Sequence, residues 1–282
     1  MKTFRKALQG TGFSLTAELQ LPDRIPLREI LRRASLLAPT VDGIMVDERS
    51  QSCGGIAPLA LATLLLREGI DPITGINCRD RNRIALQSDL LGLRALGVSS
   101  LILESGDHAS RSGTNGGKRI KDTNCRELIA MAQAMTEEEW PHGQHEFLIG
   151  TRVSAVALLD DRSLERLTAR AAAGARFLQV RHCSDPVLLR DFLQALVEVR
   201  LTWSYGVIVT LAPHAQRLNT LALAEHMQNM SELPGVSGLH FQVRDDPETV
   251  AEAVEASGLG SGQRADQRPT EKTRETKIAD KN

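Results

Sequence analysis

Acidic side chains stand at the ends of apolar, strand-like runs in this sequence of 282 residues. Glu18 lies near the end of the first run, and Gly106 and Asp107 follow the fourth. A carboxylate acts as an acid or base near neutral pH when its surroundings shift its pKa. A glycine at a strand end lets a ligand approach the backbone, and an adjacent aspartate accepts hydrogen bonds from an N–H-rich heterocycle. These residues predict a site for small-molecule binding and proton transfer, although a buried Glu18 also fits a structural role.

Further polar residues stand at or just after the ends of the other runs. Asp47 and His108 come after the second and fourth runs, and Asn77 and Arg181 are among the last residues of the third and sixth. In a barrel of parallel strands these ends meet at one face, where such barrels carry their active sites. The histidines lack HxH or HxxE spacing and the four cysteines form no CxxC pair. We therefore expect no metal site and reduced thiols.

Eight apolar runs recur along the chain, and a helical pattern follows each of them. The predicted strands are Phe13–Leu19, Gly43–Val46, Pro72–Cys78, Ser100–Leu103, Phe147–Val153, Phe177–Arg181, Gly206–Leu211 and Gly238–Val243. The predicted helices are Leu27–Leu37, Pro58–Arg67, Ile84–Leu96, Cys125–Met135, Ser163–Ala173, Pro186–Arg200, Leu218–Met230 and Pro247–Ser257. This alternation predicts parallel strands covered by helices, and eight units predict a single closed (β/α)8 TIM barrel of the α/β class. The GxGxxG motif of a Rossmann domain is absent after the first run.

The barrel domain is expected to span residues 1–259. Residues 260–282 are polar, with Ile278 as the one apolar residue larger than alanine, and this composition predicts a disordered tail. Gly69, Gly97 and Gly174 follow the ends of predicted helices, where a left-handed C-cap favours glycine.

The charge balance argues against two classes of partner. Lysine and arginine total 34 and aspartate and glutamate 35, giving a net charge of −1. No electrostatic preference for nucleic acid or an anionic membrane follows from that value. No run approaches the roughly 18 apolar residues of a membrane span, and the basic N-terminus lacks the apolar core of a secretory signal. We expect a cytoplasmic protein.

Several motifs in order resemble the bacterial methylenetetrahydrofolate reductase family. They are CRDRNRIALQSDLLG at 78–92, ALGV at 95–98 and GDH at 106–108. Ala17-Glu18 followed by Pro22, and AGARFLQ at 173–179, are similar to the same family. The resemblance covers roughly residues 13–259 and is strongest over 70–108.

The resemblance implies a flavoprotein that reduces 5,10-methylenetetrahydrofolate to 5-methyltetrahydrofolate with NAD(P)H and FAD. Glu18 matches the family's proton donor, Asp107 the aspartate that binds the pterin and tunes the flavin, and Arg170 a cation near the FAD diphosphate. The residues implied for the cofactors are Asp47, Asn77, Gly106, Asp107, His108 and Arg170, and those implied for the folate are Gln179 and Arg181.

Two departures from the family leave a second hypothesis open. Arg181 stands where the family carries a glutamine that binds the pterin, and arginine donates hydrogen bonds but accepts none. The chain also has nine aromatic side chains, namely six Phe, two Trp and one Tyr, which leaves few to stack on a flavin. The first hypothesis is a folate reductase, and the second is a non-catalytic or regulatory barrel that retains the fold while its flavin site, its folate site or both are degraded. The expected ligand is a folate substrate, and the protein is expected to act as a homo-oligomer or as a partner subunit.

Overall fold

The computed structural model describes residues 3–10, 12–19, 25–47, 56–79, 81–106, 120, 122–137, 146–155, 161–181, 186–216, 218–244 and 246–260. Within these ranges, eight parallel strands pair in chain order and close on themselves as one barrel. The predicted (β/α)8 architecture is therefore confirmed. Of the predicted tail, only Gly260 lies among the described residues.

Helices follow the strands in regular alternation. The strands are β1 (Ser14–Leu19), β2 (Gly43–Val46), β3 (Pro72–Asn77), β4 (Ser100–Glu104), β5 (Leu148–Val153), β6 (Phe177–Val180), β7 (Gly206–Leu211) and β8 (Val236–Val243). The helices are α1 (Phe4–Gln9), α2 (Leu27–Leu37), α3 (Pro58–Arg67), α4 (Arg83–Ala95), α5 (Cys125–Glu137), α6 (Asp161–Ala172), α7 (Pro186–Glu198), α8 (Pro213–Gln216), α9 (Thr220–Ser231) and α10 (Pro247–Ser257). A 3-10 turn spans Leu201–Trp203.

Alternation along each strand separates two kinds of surface. In β1, Leu15 and Ala17 are buried in the large apolar layer between strands and helices, whereas Thr16 and Glu18 face the barrel interior. Along each strand, every second side chain therefore packs against the helices. The side chains between them fill the barrel or line its open end.

An apolar cluster fills the interior toward the N-terminal ends of the strands. Its buried members are Phe4, Met45, Ile73, Ile102, Leu148, Phe177 and Ile208. Phe4 comes from α1, and its ring meets that of Phe177 edge-on at 5.1 Å between centroids. The Phe4 backbone N–H also donates to Asp71 Oδ2 at 2.9 Å. Helix α1, which the sequence patterns did not predict, thus closes this end of the barrel.

The helix C-caps agree with the sequence prediction. Gly69, Gly97 and Gly174 have positive φ angles of 73°, 81° and 122°. A side chain is strained in that backbone region, so glycine ends these helices at low conformational cost.

Two sequence expectations concern cysteines and membranes. Cys78 and Cys125 are buried and form no disulfide within the described ranges, while Cys53 and Cys183 lie outside them. Among the helices of the described chain, none is long and apolar enough to cross a bilayer.

Candidate functional site

Polar side chains replace apolar ones in the barrel interior near the C-terminal ends of the strands. These inward-facing residues, the mouth layer, are Glu18 (β1), Asp47 (after β2), Glu104 (β4), Arg152 (β5), Gln179 (β6), and His240 and Gln242 (β8). Asp47 and Gln242 are partly buried, and the other five are buried. This is the end at which TIM barrels carry their chemistry, so the mouth layer is the candidate site.

Arg152 is at the centre of this layer. Its Nη1 lies 2.7 Å from Asp47 Oδ2 and 3.0 Å from Glu104 Oε1. Its Nε donates to Gln179 Oε1 at 2.7 Å, and its Nη2 lies 3.8 Å from Glu18 Oε2. In a closed ring of eight strands, β5 stands opposite β1. The Arg152 side chain therefore crosses the barrel axis and links carboxylates from three strands.

Glu18 has a second set of partners on β8. Gln242 Nε2 donates to Glu18 Oε1 at 2.7 Å, and His240 Nε2 lies 3.5 Å from Glu18 Oε2. The other ring nitrogen of His240, Nδ1, lies 2.9 Å from Thr16 Oγ1, which also donates to the Leu239 carbonyl at 3.3 Å. With its one hydrogen directed to that carbonyl, the hydroxyl accepts a bond from Nδ1–H. Nε2 is then the nitrogen that faces the Glu18 carboxylate.

The formal charges of the site do not cancel. Glu18, Asp47 and Glu104 contribute three negative charges, and Arg152 and Arg181 contribute two positive ones, which leaves −1. Arg181 is 38% exposed at the rim, with Nη2 3.5 Å from Glu104 Oε2. Buried charges are costly unless they are compensated. One further proton on Glu18 or His240 would neutralise the site, so this pair is a natural place for proton exchange.

Four predicted site residues meet in or beside the mouth layer: Glu18, Asp47, Gln179 and Arg181. Their proximity follows from their shared position near strand ends. The contacts leave open what each would bind, so their assigned roles stay predictions.

Asn77 and Gly106 are neighbours across the ends of β3 and β4. The Asn77 Oδ1 accepts a hydrogen bond from the Arg79 backbone N–H at 3.0 Å. Gly106 has a φ of 78°, and a Cβ at this position would lie 2.9 Å from the Arg79 Cβ and 3.0 Å from the Asn77 Oδ1. The space beside Gly106, where the sequence predicts the approach of a ligand, is therefore occupied by the side chains of Asn77 and Arg79.

Arg170 lies away from the mouth layer. Its Nη1 donates to Thr151 Oγ1 at 3.1 Å and reaches the Arg152 carbonyl at 3.4 Å. Thr151 alternates with inward-facing Arg152 on β5 and so faces the surrounding helices. The guanidinium therefore lies on the outer side of the strand, and its predicted contact with a diphosphate stays a prediction. Asp107 and His108 fall outside the described residues.

Sequence reasoning missed Arg152, Thr16 and His240 as site residues. All three lie within predicted strands, whereas Asp47, Gly106, Asp107 and His108 follow one. A signal was nevertheless present: Arg152 is a charged residue two positions after Gly150, on the face that β5 turns to the barrel interior.

Asp71 and Cys125 lie away from the mouth layer, and burial shifts the pKa of each. Burial raises the pKa of Asp71 to about 6, and the nearby charge of Asp42 adds to the increase. Burial also raises the pKa of the Cys125 thiol. This thiol therefore stays protonated near neutral pH and is a poor nucleophile.

A cavity of about 730 Å³ lies at the opposite, N-terminal end of the barrel, beside α1 and the start of β6. Two arginines line it, but both are bonded within the protein. Arg5 pairs with the Glu146 carboxylate, and Arg176 donates to the carbonyls of Ala171 and Ala175. We place the functional site at the mouth layer, where the ionisable groups converge.

Solved structures share this fold at low sequence identity. A Clostridium thermocellum protein that binds two copies of 5-methyl-5,6,7,8-tetrahydrofolic acid aligns with a TM-score of 0.58 and 10% identity, over 90% of this chain and 96% of that one. An oxaloacetate acetylhydrolase aligns with a TM-score of 0.57 and 14% identity, over 100% and 98%. A 2,3-dimethylmalate lyase of the PEP mutase/isocitrate lyase superfamily aligns with a TM-score of 0.55 and 15% identity, over 98% and 95%.

Sequence comparison adds no family assignment. No protein-family model and no curated protein matches the chain. At these identities the structural likeness establishes the TIM-barrel fold and nothing finer, since one fold hosts many chemistries.

Proposed function

We propose that this barrel binds a tetrahydrofolate-type ligand at its mouth, where Glu18 exchanges a proton with the ligand. The observation that carries the proposal is the setting of Glu18: a buried carboxylate at the C-terminal end of β1, held by Gln242 and facing His240. The motif resemblance to folate reductases supports the choice of ligand. The tetrahydrofolate bound by the Clostridium thermocellum neighbour supports it as well.

The proton would pass between groups that are neighbours in the structure. His240 exchanges a proton with Glu18 through Nε2, and Thr16 fixes the ring through Nδ1. Gln242 orients the carboxylate by donating to its other oxygen. General acid–base groups that are positioned in this way contribute roughly 10²–10⁴-fold to a rate.

The sequence resemblance extends the proposal to a reaction, the reduction of 5,10-methylenetetrahydrofolate with NAD(P)H and FAD. A bound flavin would supply the hydride in that reaction. The part of this chain is to orient the folate and to provide the proton from Glu18.

The described residues that the resemblance assigns to FAD do not form a cradle for it. Asp47 is ion-paired with Arg152 at 2.7 Å, Asn77 is bonded to the Arg79 backbone, and Arg170 lies on the outer side of β5. Proton transfer at Glu18, and not a hydride transfer, is the step that these residues support.

The same contacts favour a second candidate function. A non-catalytic or regulatory barrel that binds folate without a flavin has no need of a cofactor cradle. The ion pair between Arg152 and Asp47, which engages a residue assigned to the cofactor, is the observation that favours this candidate.

The visible spectrum of the purified protein distinguishes the two candidates. A reductase takes up FAD, loses the flavin absorbance when NADH is added and regains it with methylenetetrahydrofolate. A protein that stays colourless with added FAD and still binds 5-methyltetrahydrofolate fits the second candidate.

For the reductase, Glu18→Gln is the sharper test, because it keeps the shape of the side chain and removes its proton exchange. We expect reduction of the flavin by NADH to persist and reduction of the folate to fall about 100-fold or more. Glu29→Gln, at an exposed ion pair on α2, serves as the control and should leave both steps unchanged. Equal loss of both half-reactions in Glu18→Gln would count against Glu18 as the acid.

A further inference from the structure

The Arg152 side chain is 1% exposed although it carries a full charge at the open end of a barrel. An arginine is rarely buried to this extent without several partners. Its partners come from four other strands or their ends: Glu18, Asp47, Glu104 and Gln179. We call these four residues and Arg152 the Arg152 cluster.

Directly beneath the guanidinium the barrel becomes apolar. Arg152 Nη2 contacts the Met45 Sδ at 2.7 Å, and Met45 belongs to the apolar interior cluster with Ile102 and Phe177. The guanidinium therefore forms the boundary between the filled interior and the mouth. A ligand that enters from the C-terminal face meets the Arg152 cluster as a floor.

We infer that Arg152 is the positioning residue of this site, an internal counter-ion that holds the carboxylates of β1, β2 and β4 in one layer on which the ligand binds. The geometry supports this role because one planar guanidinium offers five N–H donors in fixed directions and so can serve several carboxylates at once. The identity of the ligand rests on the proposed function; the role of Arg152 in the charge layer does not.

The charges give this role a pH signature. Without the Arg152 guanidinium, the carboxylates of Glu18, Asp47 and Glu104 would lie near one another, with the half-exposed Arg181 3.5 Å from Glu104 and the His240 ring 3.5 Å from Glu18. Like charges and burial both disfavour ionisation, so the carboxylates would take up protons in the native state. A native pKa above the unfolded value makes the folded protein relatively more stable as the pH falls. Removing Arg152 should therefore harm the protein most at high pH.

The first test is thermal unfolding of Arg152→Met, which keeps most of the side-chain volume. We expect the unfolding temperature to fall by about 5–10 °C at about pH 8 and by clearly less at about pH 5.5. Arg32→Met, which breaks an exposed ion pair with Glu29 on α2, is the matched control and should change the temperature little at either pH.

A charge-compensated variant keeps the test decisive if Arg152→Met folds poorly. Adding Asp47→Asn and Glu104→Gln to Arg152→Met removes two of the three carboxylate charges with little change in shape and leaves Glu18 beside Gln242 and His240. Since a buried charge that has lost its partner is costly, the triple variant should unfold at a higher temperature than Arg152→Met at about pH 8. The inference is overturned if Arg152→Met unfolds like the wild type at both pH values, or if the triple variant is no more stable than Arg152→Met.

The second test is the affinity for 5-methyltetrahydrofolate across the same pH range. Arg152→Met should weaken the binding of 5-methyltetrahydrofolate more than tenfold at about pH 8, and part of the lost affinity should return at about pH 5.5. Arg152→Lys keeps the positive charge, so its affinity should depend less on pH than that of Arg152→Met. Equal losses of affinity at both pH values would contradict the role of Arg152 as a counter-ion and would point to a purely steric role. If the wild type itself does not bind 5-methyltetrahydrofolate, the proposed function fails, and the unfolding test still decides the role of Arg152.

Discussion

Glu18 and Arg152 illustrate how differently two charged residues can be judged from a sequence. Glu18 is a candidate from the sequence because it lies near the end of a predicted strand, at the face where barrels of this kind carry their active sites. Arg152 lies inside the run Phe147–Val153, and one charged residue does not change the apolar pattern that identifies this run as a strand. Its importance comes from reaching across the barrel to β1 and β2, and such contacts depend on closure of the sheet. Local sequence patterns carry no information on that reach.

Asp71 offers a residue-scale prediction about stability. Burial raises its native pKa from 3.8 to about 6. Between these two pH values the Asp71 carboxyl keeps its proton in the folded state and loses it in the unfolded state. Stability contributed by the protonated form is present at low pH and is lost as the pH rises toward 6. Asp71→Asn, which keeps an acceptor for the Phe4 N–H, should therefore raise the free energy of unfolding at about pH 7 by about 1–3 kcal/mol.

Chemical denaturation at several pH values checks this prediction. The advantage of Asp71→Asn should shrink as the pH falls toward about 4, where the wild-type carboxyl is protonated as well. A variant that is less stable than the wild type at about pH 7 would show that the charged hydrogen bond to Phe4 outweighs the cost of burial.

At the scale of elements, the hydrophobic period was sufficient for most of the fold. The predicted α2, α3, α10, β2 and β7 have the observed bounds, and the other predicted elements differ by at most a few residues at either end. Helix α1 was missed because six residues are too short to show a helical period. Its position is set by tertiary contacts, above all Phe4 against Phe177 and Asp71.

Strand β5 carries the element-scale prediction. A Cβ added at Gly150 would lie 2.3 Å from the Phe177 ring, at a place where the interior is filled from several strands. Gly150→Ala should therefore destabilise the protein by about 1–3 kcal/mol or more, because the ring cannot move without displacing its neighbours. Denaturant unfolding measures this loss. Gly69→Ala is an instructive comparison: a Cβ added there would meet nothing within 4 Å, but the φ of 73° is strained for alanine.

A wild-type stability in Gly150→Ala would contradict the close packing of β5 against Phe177. Equal losses in Gly150→Ala and Gly69→Ala would point instead to a general effect of replacing glycine in this chain.

For the whole molecule, barrel closure turns eight separate strand ends into one site. The eight-fold alternation predicted that closure, and the closed ring brings Glu18, Asp47, Gln179 and Arg181 to the same face. What the alternation did not predict is the balance of charge within the face, because that balance depends on which side chains reach the axis. The fold is shared with proteins of different chemistry, so the ligand has to be established by binding.

The most direct measurement is calorimetric titration of 5-methyltetrahydrofolate into the wild type and Glu18→Gln, in two buffers that differ in ionisation enthalpy. The difference between buffers gives the number of protons exchanged on binding. We predict saturable binding to both proteins, with proton exchange in the wild type and close to none in Glu18→Gln. Absence of binding to the wild type, or the same proton exchange in both proteins, would contradict the assignment of a folate site with Glu18 as its proton-exchanging group.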